Sequence, residues 1–204
     1  MAPMRIGTTN WLIRAKPWQA LLVLAASGLA LAAYGQPQNP LSKPPSRPAT
    51  HAASASEMPL INLDGYKKLI ADHRGKPLLV TFWATWCEPC REEYPLVNQL
   101  AREYAAQGLT VVGVDMDDDA EMTLVQHFLD KNQPIFPNVR KKMGHTDEFW
   151  DGVDLRWKGT MPANFFYAAD GRLVGFMTGG RLRPDFEKMI QATLAASPHV
   201  SAHP

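Results

Sequence analysis

Cys87 and Cys90 are the only two cysteines in 204 residues, and they stand two positions apart. Before them lies the apolar run "PLLVTFW", residues 77–83, and after them a helical pattern begins at Pro89. A short continuous apolar run rich in β-branched and aromatic residues marks a strand buried on both faces. Such a strand demands covering layers, and so a domain of alternating strands and helices. The junction also puts Cys87 at a helix start, where free backbone N–H groups and the helix dipole favour an anion. The thiolate is that anion, and it is the reactive form of cysteine. Pro89 suits the first turn, where its missing N–H costs nothing. Cys90 falls one turn further in, within reach of a small disulfide ring. The arrangement implies Cys87 as the exposed attacking thiol and Cys90 as the more buried resolving thiol, acting through a mixed disulfide.

Other uses of the pair differ in what they need. A purely structural disulfide here closes a ring of about four residues, with little gain in chain entropy. A zinc site needs about four ligands, and no second cysteine pair exists. A copper-binding or metallochaperone module remains an alternative, using both thiolates and a distant histidine such as His145. A thiol oxidase is the alternative within the same chemistry. A peroxidase is not indicated, because Ala84 stands where a Thr-x-x-Cys nucleophile motif has threonine.

The ends of the chain have a different character. Arg5, Arg14 and Lys16 precede "ALLVLAASGLALAAY", residues 20–34, which is apolar or small throughout. Positive charge, apolar run and small residues in that order read as an export signal. Residues 1–35 are therefore a cleaved signal peptide or a retained N-terminal membrane anchor, with 18–35 as the anchoring span. In either case the body lies outside the cytoplasm, in the periplasm or its equivalent, held at the inner membrane if the anchor is kept. Residues 36–57 are rich in Pro, Ser and Ala and read as a tether. The folded domain spans 58–197, and 198–204 are a tail. From Glu57 onward 16 basic residues face 20 acidic ones, a net of −4. That balance gives no support for nucleic-acid binding.

Within the domain, hydrophobic periodicity predicts β-α-β-α-β-α-β-β-α. "PLINL", 59–63, is a strand. Residues 64–75 form a helix with Asp64 as cap and Gly75 as stop. The strand 77–83 follows, then a helix from Pro89 to Gly108 with Tyr94, Val97, Leu100, Ala101 and Tyr104 inward. Residues 109–115 are a strand and 120–132 a helix with Met122, Val125, Phe128 and Leu129 inward. Residues 133–161 are irregular. Two strands joined at Asp170-Gly171 make a hairpin, and a last helix, 184–196, turns Phe186, Met189, Ile190 and Leu194 inward. The fold class is α/β, with a central mixed β-sheet flanked by helices. The acidic run 115–119 reads as a solvent-facing loop. Arg140, Lys141 and Lys142 read as a solvated basic turn, and Phe149, Trp150 and Trp157 as core, with a partner surface as the alternative.

"TFWATWCEPCREEYP", residues 81–95, resembles the active-site region of exported thioredoxin-like disulfide reductases of the TlpA/ResA/CcmG family. "GTMPANFFYAADGRLV", residues 159–174, resembles that family's proline–strand–Asp-Gly hairpin. The resemblance implies a thioredoxin-like fold with 120–132 as its inserted helix. It implies that Pro162 is the cis-proline beside the cysteines, and that Met161 offers its backbone to an extended substrate. Trp86 becomes part of the docking surface. Glu93 matches a glutamate near the cysteines whose charge opposes thiolate formation. Pro95 matches a helix-kinking proline, and Thr81 replaces thioredoxin's buried aspartate. The implied activity is that of an exported thiol–disulfide oxidoreductase that reduces protein disulfides, apocytochrome c among them. A membrane electron donor of the DsbD/CcdA type is implied as partner, and no cofactor.

Overall fold

The computed structural model describes residues 55–197. The expected signal or anchor (1–35), the anchoring span 18–35, most of the tether and the tail 198–204 lie outside the described residues. Among the described residues no helix is long and apolar enough to cross a membrane.

The strands are β1 (Leu60–Ile61), β2 (Leu78–Trp83), β3 (Thr110–Asp115), β4 (Asn138–Lys141), β5 (Ala163–Tyr167) and β6 (Leu173–Thr178). The helices are α1 (Leu63–Asp72), α2 (Glu88–Tyr104), α3 (Met122–Asn132), α4 (Thr146–Val153) and α5 (Arg183–Ala195). One six-stranded sheet runs in the order β1-β4-β3-β2-β5-β6. β1, β4, β3 and β2 pair in parallel, while β5 is antiparallel to both β2 and β6. The sheet is mixed and the architecture α/β, as the order of elements predicts, and the fold is thioredoxin-like, as the resemblance implies.

All six residues of β2 are buried. Its side chains divide between two cores, as strand alternation requires. Leu79 and Trp83 join Tyr94, Val97 and Leu100 of α2, Val125 and Phe128 of α3, and Phe186 and Ile190 of α5. Leu78, Val80 and Phe82 join Tyr66 and Leu69 of α1 and Phe149 of α4 on the opposite face. Thus α2, α3 and α5 cover one face, and α1 and α4 the other.

Several local features differ from the sequence expectation. Asn62, rather than Asp64, caps α1: its side chain accepts from the Gly65 amide at 2.9 Å. α1 ends at Asp72, so Gly75 falls outside it, in a left-handed turn with φ 96°. The stretch expected to be irregular holds both β4 and α4. β4 slots between β1 and β3, so the chain between β3 and Pro162 adds a strand and a second helix beside 122–132. Phe149 and Trp157 are core residues, with Phe82 and Trp157 centroids 4.6 Å apart. Arg140 and Lys141, by contrast, are buried in β4 rather than solvated. Lys141 reaches out of the strand to the carbonyls of Lys142 and Gly144, each at 3.0 Å. Desolvation holds its ammonium below the usual lysine range. Ala55 is also buried, and its amide donates to Gln126 Oε1 at 2.6 Å. The packed body therefore includes residues that composition alone assigns to the tether.

One glycine is set by close approach. Gly113 in β3 stands opposite Asn138 of β4, and a Cβ there would strike the Asn138 amide group. That amide oxygen accepts from Trp83 Nε1 and from the Tyr94 hydroxyl, both at 3.0 Å. Gly113→Ala is expected to displace Asn138, break both bonds and cost about 1–3 kcal/mol as an overpacked site. A lowered urea midpoint with unchanged slope would show it.

Candidate active site

β2 ends at Trp83, and the chain turns through 84–87 into α2. The turn is closed by the Cys87 amide, which donates to the Ala84 carbonyl at 3.3 Å. Cys87 is the N-cap of α2, with extended backbone, and its Sγ accepts from the Cys90 amide at 3.3 Å. A sulfur therefore occupies the place where a capping oxygen usually satisfies a first-turn N–H. Cys87 and Cys90 are joined in a disulfide. Cys87 is 6% exposed and Cys90 1%; both are buried, so Cys87 is not the exposed thiol that its position in the sequence implies, only the less covered of the two. Trp86 stands out at 62% exposure, whereas Trp83 is core and stacks on Phe128 at 4.7 Å.

The hairpin brings the second motif to the same end of the sheet. Ala163 pairs with Phe82, which sets Pro162 alongside the end of β2. The Met161–Pro162 peptide is cis. The Pro162 carbonyl accepts from the Gly179 amide at 2.8 Å. The turn that follows β6 reaches the cysteine loop: the Cβ position of Gly180 lies 3.4 Å from Pro89 Cβ. Met161 is half-buried and touches both cores.

Glu93 is only 5% exposed, so it is not a solvated helix residue. It follows Cys90 by three positions and shares its helix face. Oε1 accepts from Asn164 Nδ2 at 2.7 Å, and Oε2 accepts from the Arg181 amide at 2.7 Å. Burial raises its pKa above the usual glutamate value, while the two hydrogen bonds and the Arg181 charge pull the other way. Asn164, though within the hairpin motif, carries no assigned role there, and Arg181 lies outside both sequence motifs. Only the sheet register, which pairs Asn164 with Thr81 beneath α2, brings the first of them to the site.

The acidic run departs most from expectation. Asp115 is fully buried and Asp117 is 2% exposed, so neither faces solvent. Asp117 accepts from the Thr85 amide at 2.7 Å and from the Thr85 hydroxyl at 2.6 Å. Asp115 accepts from the Asp117 amide at 3.1 Å. Burial pushes the Asp115 carboxyl up to about 9, the neighbouring Asp117 adds to the shift, and Arg140 opposes it. The available signal was position: Asp115 closes an uninterrupted apolar strand of a sheet covered on both faces, where side chains of both parities are buried.

Two cysteines bonded at a strand–helix junction, at the end of the sheet where a cis-proline precedes β5, accord with what the comparisons with known proteins find. The family model described as "AhpC/TSA family" covers residues 50–175. The chain belongs to the AhpC/TSA family. Among curated relatives, the thiol-disulfide oxidoreductase ResA of Geobacillus kaustophilus is 26% identical over 140 residues, 69% of this chain and 76% of that protein. The ResA of Oceanobacillus iheyensis is 32% identical over 110 residues, 54% of this chain and 53% of that protein. Among solved structures, a thiol:disulfide interchange protein of the thioredoxin family from Chlorobium tepidum aligns with TM-score 0.51 and 28% identity. That alignment covers 61% of this chain and 83% of that one. Within this family the chain is a thiol–disulfide oxidoreductase, and its cysteine pair is bonded in the structure.

The alternative metal ligand is not brought to the pair. His145 starts α4, on the opposite face of the sheet from α2, and pairs with Glu148 at 3.2 Å. Among the described residues no three His, Cys, Asp or Glu side chains gather to hold a metal.

The raised Asp115 pKa has a stability consequence whose sign is definite. The folded chain holds a proton there that the unfolded chain releases near pH 4, so this group favours folding below pH 4. That advantage is lost as pH rises toward 9. Asp115→Asn is therefore expected to be more stable than the parent at pH 9, with the gap closing toward pH 4. Thermal unfolding across that range measures it.

Proposed function

We propose that the protein reduces disulfides in exported proteins, with Cys87 attacking and Cys90 resolving. The observation that carries this reading is the unequal setting of the two sulfurs on α2. Cys87 caps the helix at the end of the sheet, beside the exposed ring of Trp86. Cys90 sits one turn deeper, on the helix face that also bears buried Glu93. The less deeply buried sulfur meets the partner, and the more deeply buried one closes the ring and releases it.

Glu93 supplies the bias toward reduction. A thiolate at Cys90 and a carboxylate at Glu93 are two anions on one buried helix face, and each raises the pKa of the other. A destabilised thiolate favours the disulfide form, and so makes the pair a stronger reductant. The substrate segment lies along Met161 and Pro162, with Trp86 shielding the exchanging bond, in the manner of an added strand.

The export signal read in residues 1–35 supports a site of action outside the cytoplasm, where electrons would have to come through the membrane. A reductase of the DsbD/CcdA type is the implied donor, and apocytochrome c is one candidate substrate. A copper-handling role would rest on the same two thiolates; His145 is not brought to them, and among the described residues no three His, Cys, Asp or Glu side chains gather to hold a metal.

Cys90→Ser is expected to trap mixed disulfides through Cys87 when the full chain meets an extract of exported proteins, and Cys87→Ser to trap none. Equal trapping by both variants, or by neither, would remove the assigned roles. The reduction potential is expected near or below about −270 mV, the thioredoxin value, and a value near about −120 mV makes the protein an oxidase instead. Glu93→Gln is expected to lower the thiol pKa values, read by thiolate absorbance across a pH titration.

A further inference from the structure

Asp117 joins the acidic run to the approach to Cys87 through two short contacts. Its carboxylate takes the amide and the hydroxyl of Thr85 together, at 2.7 and 2.6 Å. Thr85 is itself buried. A second hold reaches the same residue from the far side of the disulfide: Arg91 Nη1 donates to the Thr85 carbonyl at 3.2 Å. Thr85 is two residues before Cys87 and Arg91 is the residue after Cys90. The disulfide loop is thus pinned at its root from both ends. β3 provides the fixed point, since the Met116 amide donates to the Trp83 carbonyl at 2.9 Å and the Asp117 amide to Asp115.

We propose that Asp117 is a positioning residue for the exchange reaction. By fixing Thr85 it holds the Cys87 and Cys90 sulfurs where they close a ring. The proposal rests on the roles assigned above to the two thiols. In the step concerned, the Cys90 thiolate attacks Cys87 Sγ in a mixed disulfide. The Cys87–Cys90 bond forms, the bond from Cys87 to the partner sulfur breaks, and the partner leaves as a thiolate. That thiolate takes a proton from solvent to replace the one Cys90 lost. Over the full cycle two electrons pass from the dithiol to the partner's disulfide. The rate of ring closure depends on how often the two sulfurs meet in line, which a fixed loop root raises. The same effect favours the closed disulfide over the open dithiol at equilibrium.

The probe is the aromatic disulfide 5,5′-dithiobis(2-nitrobenzoate): attack by the thiolate of the reduced full chain breaks its S–S bond, releases one coloured nitrothiobenzoate and leaves the other half as a mixed disulfide on the attacking sulfur. Ring closure by Cys90 then releases the second nitrothiobenzoate, read by absorbance. Asp117→Ala is expected to slow that release about tenfold. It is also expected to lower the equilibrium constant for disulfide formation against glutathione about tenfold, which is about 30 mV in the less negative direction. Asp117→Asn keeps an oxygen for the Thr85 amide and is expected to fall between the two. A folded Asp117→Ala chain with parental release rate and parental equilibrium constant overturns the proposal, whatever its melting temperature. Should Asp117→Ala not fold, Thr85→Val removes only the hydroxyl contact and must move both readings in the same direction; no change in either overturns the proposal. Cys90→Ser separates the two levels. If it forms no adduct at Cys87, the thiol roles fall and the clamp with them. If it forms a stable adduct while Asp117→Ala behaves as the parent, the clamp alone is wrong.

Discussion

Everything at the site depends on β2 being buried on both faces. Six consecutive side chains without contact with water require helices above and below, and parallel neighbours whose connections supply those helices. The strand then has one free end where function can sit, the end at which its chain turns into α2. Cys87 is placed there by the same geometry that caps the helix. Pro162 arrives there because β5 runs antiparallel to β2 and starts where β2 stops. The rigid centre of the sheet fixes the positions, and the turns at its edge carry the chemistry.

Polar groups inside this frame are few and are mostly satisfied. Glu93 has two donors, Asp117 has two, and Asn138 collects Trp83 and Tyr94. Each of these sets ties α2, or the turn leading into it, to another part of the fold. Glu93 ties it to β5 and the β6–α5 turn, Asp117 to the end of β3, and Asn138 to β4. In a low-dielectric interior such bonds are costly to leave unmade, so they determine where the redox loop sits as firmly as the apolar contacts do.

Much of this was legible in the sequence, and the misses share a cause. Periodicity and apolar runs located β2, β3, α2, α3, the hairpin and α5, because each carries a clear pattern of its own. β4 and α4 were hidden. β4 is four residues long and carries Arg140 and Lys141, whose charges read as surface. α4 has eight residues and contains Gly152, a poor helix former, which is needed there because a Cβ would strike Leu63. Cys87, Cys90 and Pro162 stood out through motif and spacing. Asp117, Asn164 and Arg181 did not, because their partners lie 32, 71 and 88 residues away. Asp115 and Asp117 were read as solvent-facing because acidic runs usually are, whereas here a strand end carries them into the interior.

The Glu93 carboxylate is shared between two parts of the chain. One oxygen accepts from Asn164 of β5, and the other holds the backbone of the turn at Arg181. Any displacement of this turn takes a donor away from the charged form of Glu93, and the carboxyl then binds a proton more tightly. The position of this turn and the protonation of Glu93 are thereby linked through a single buried group.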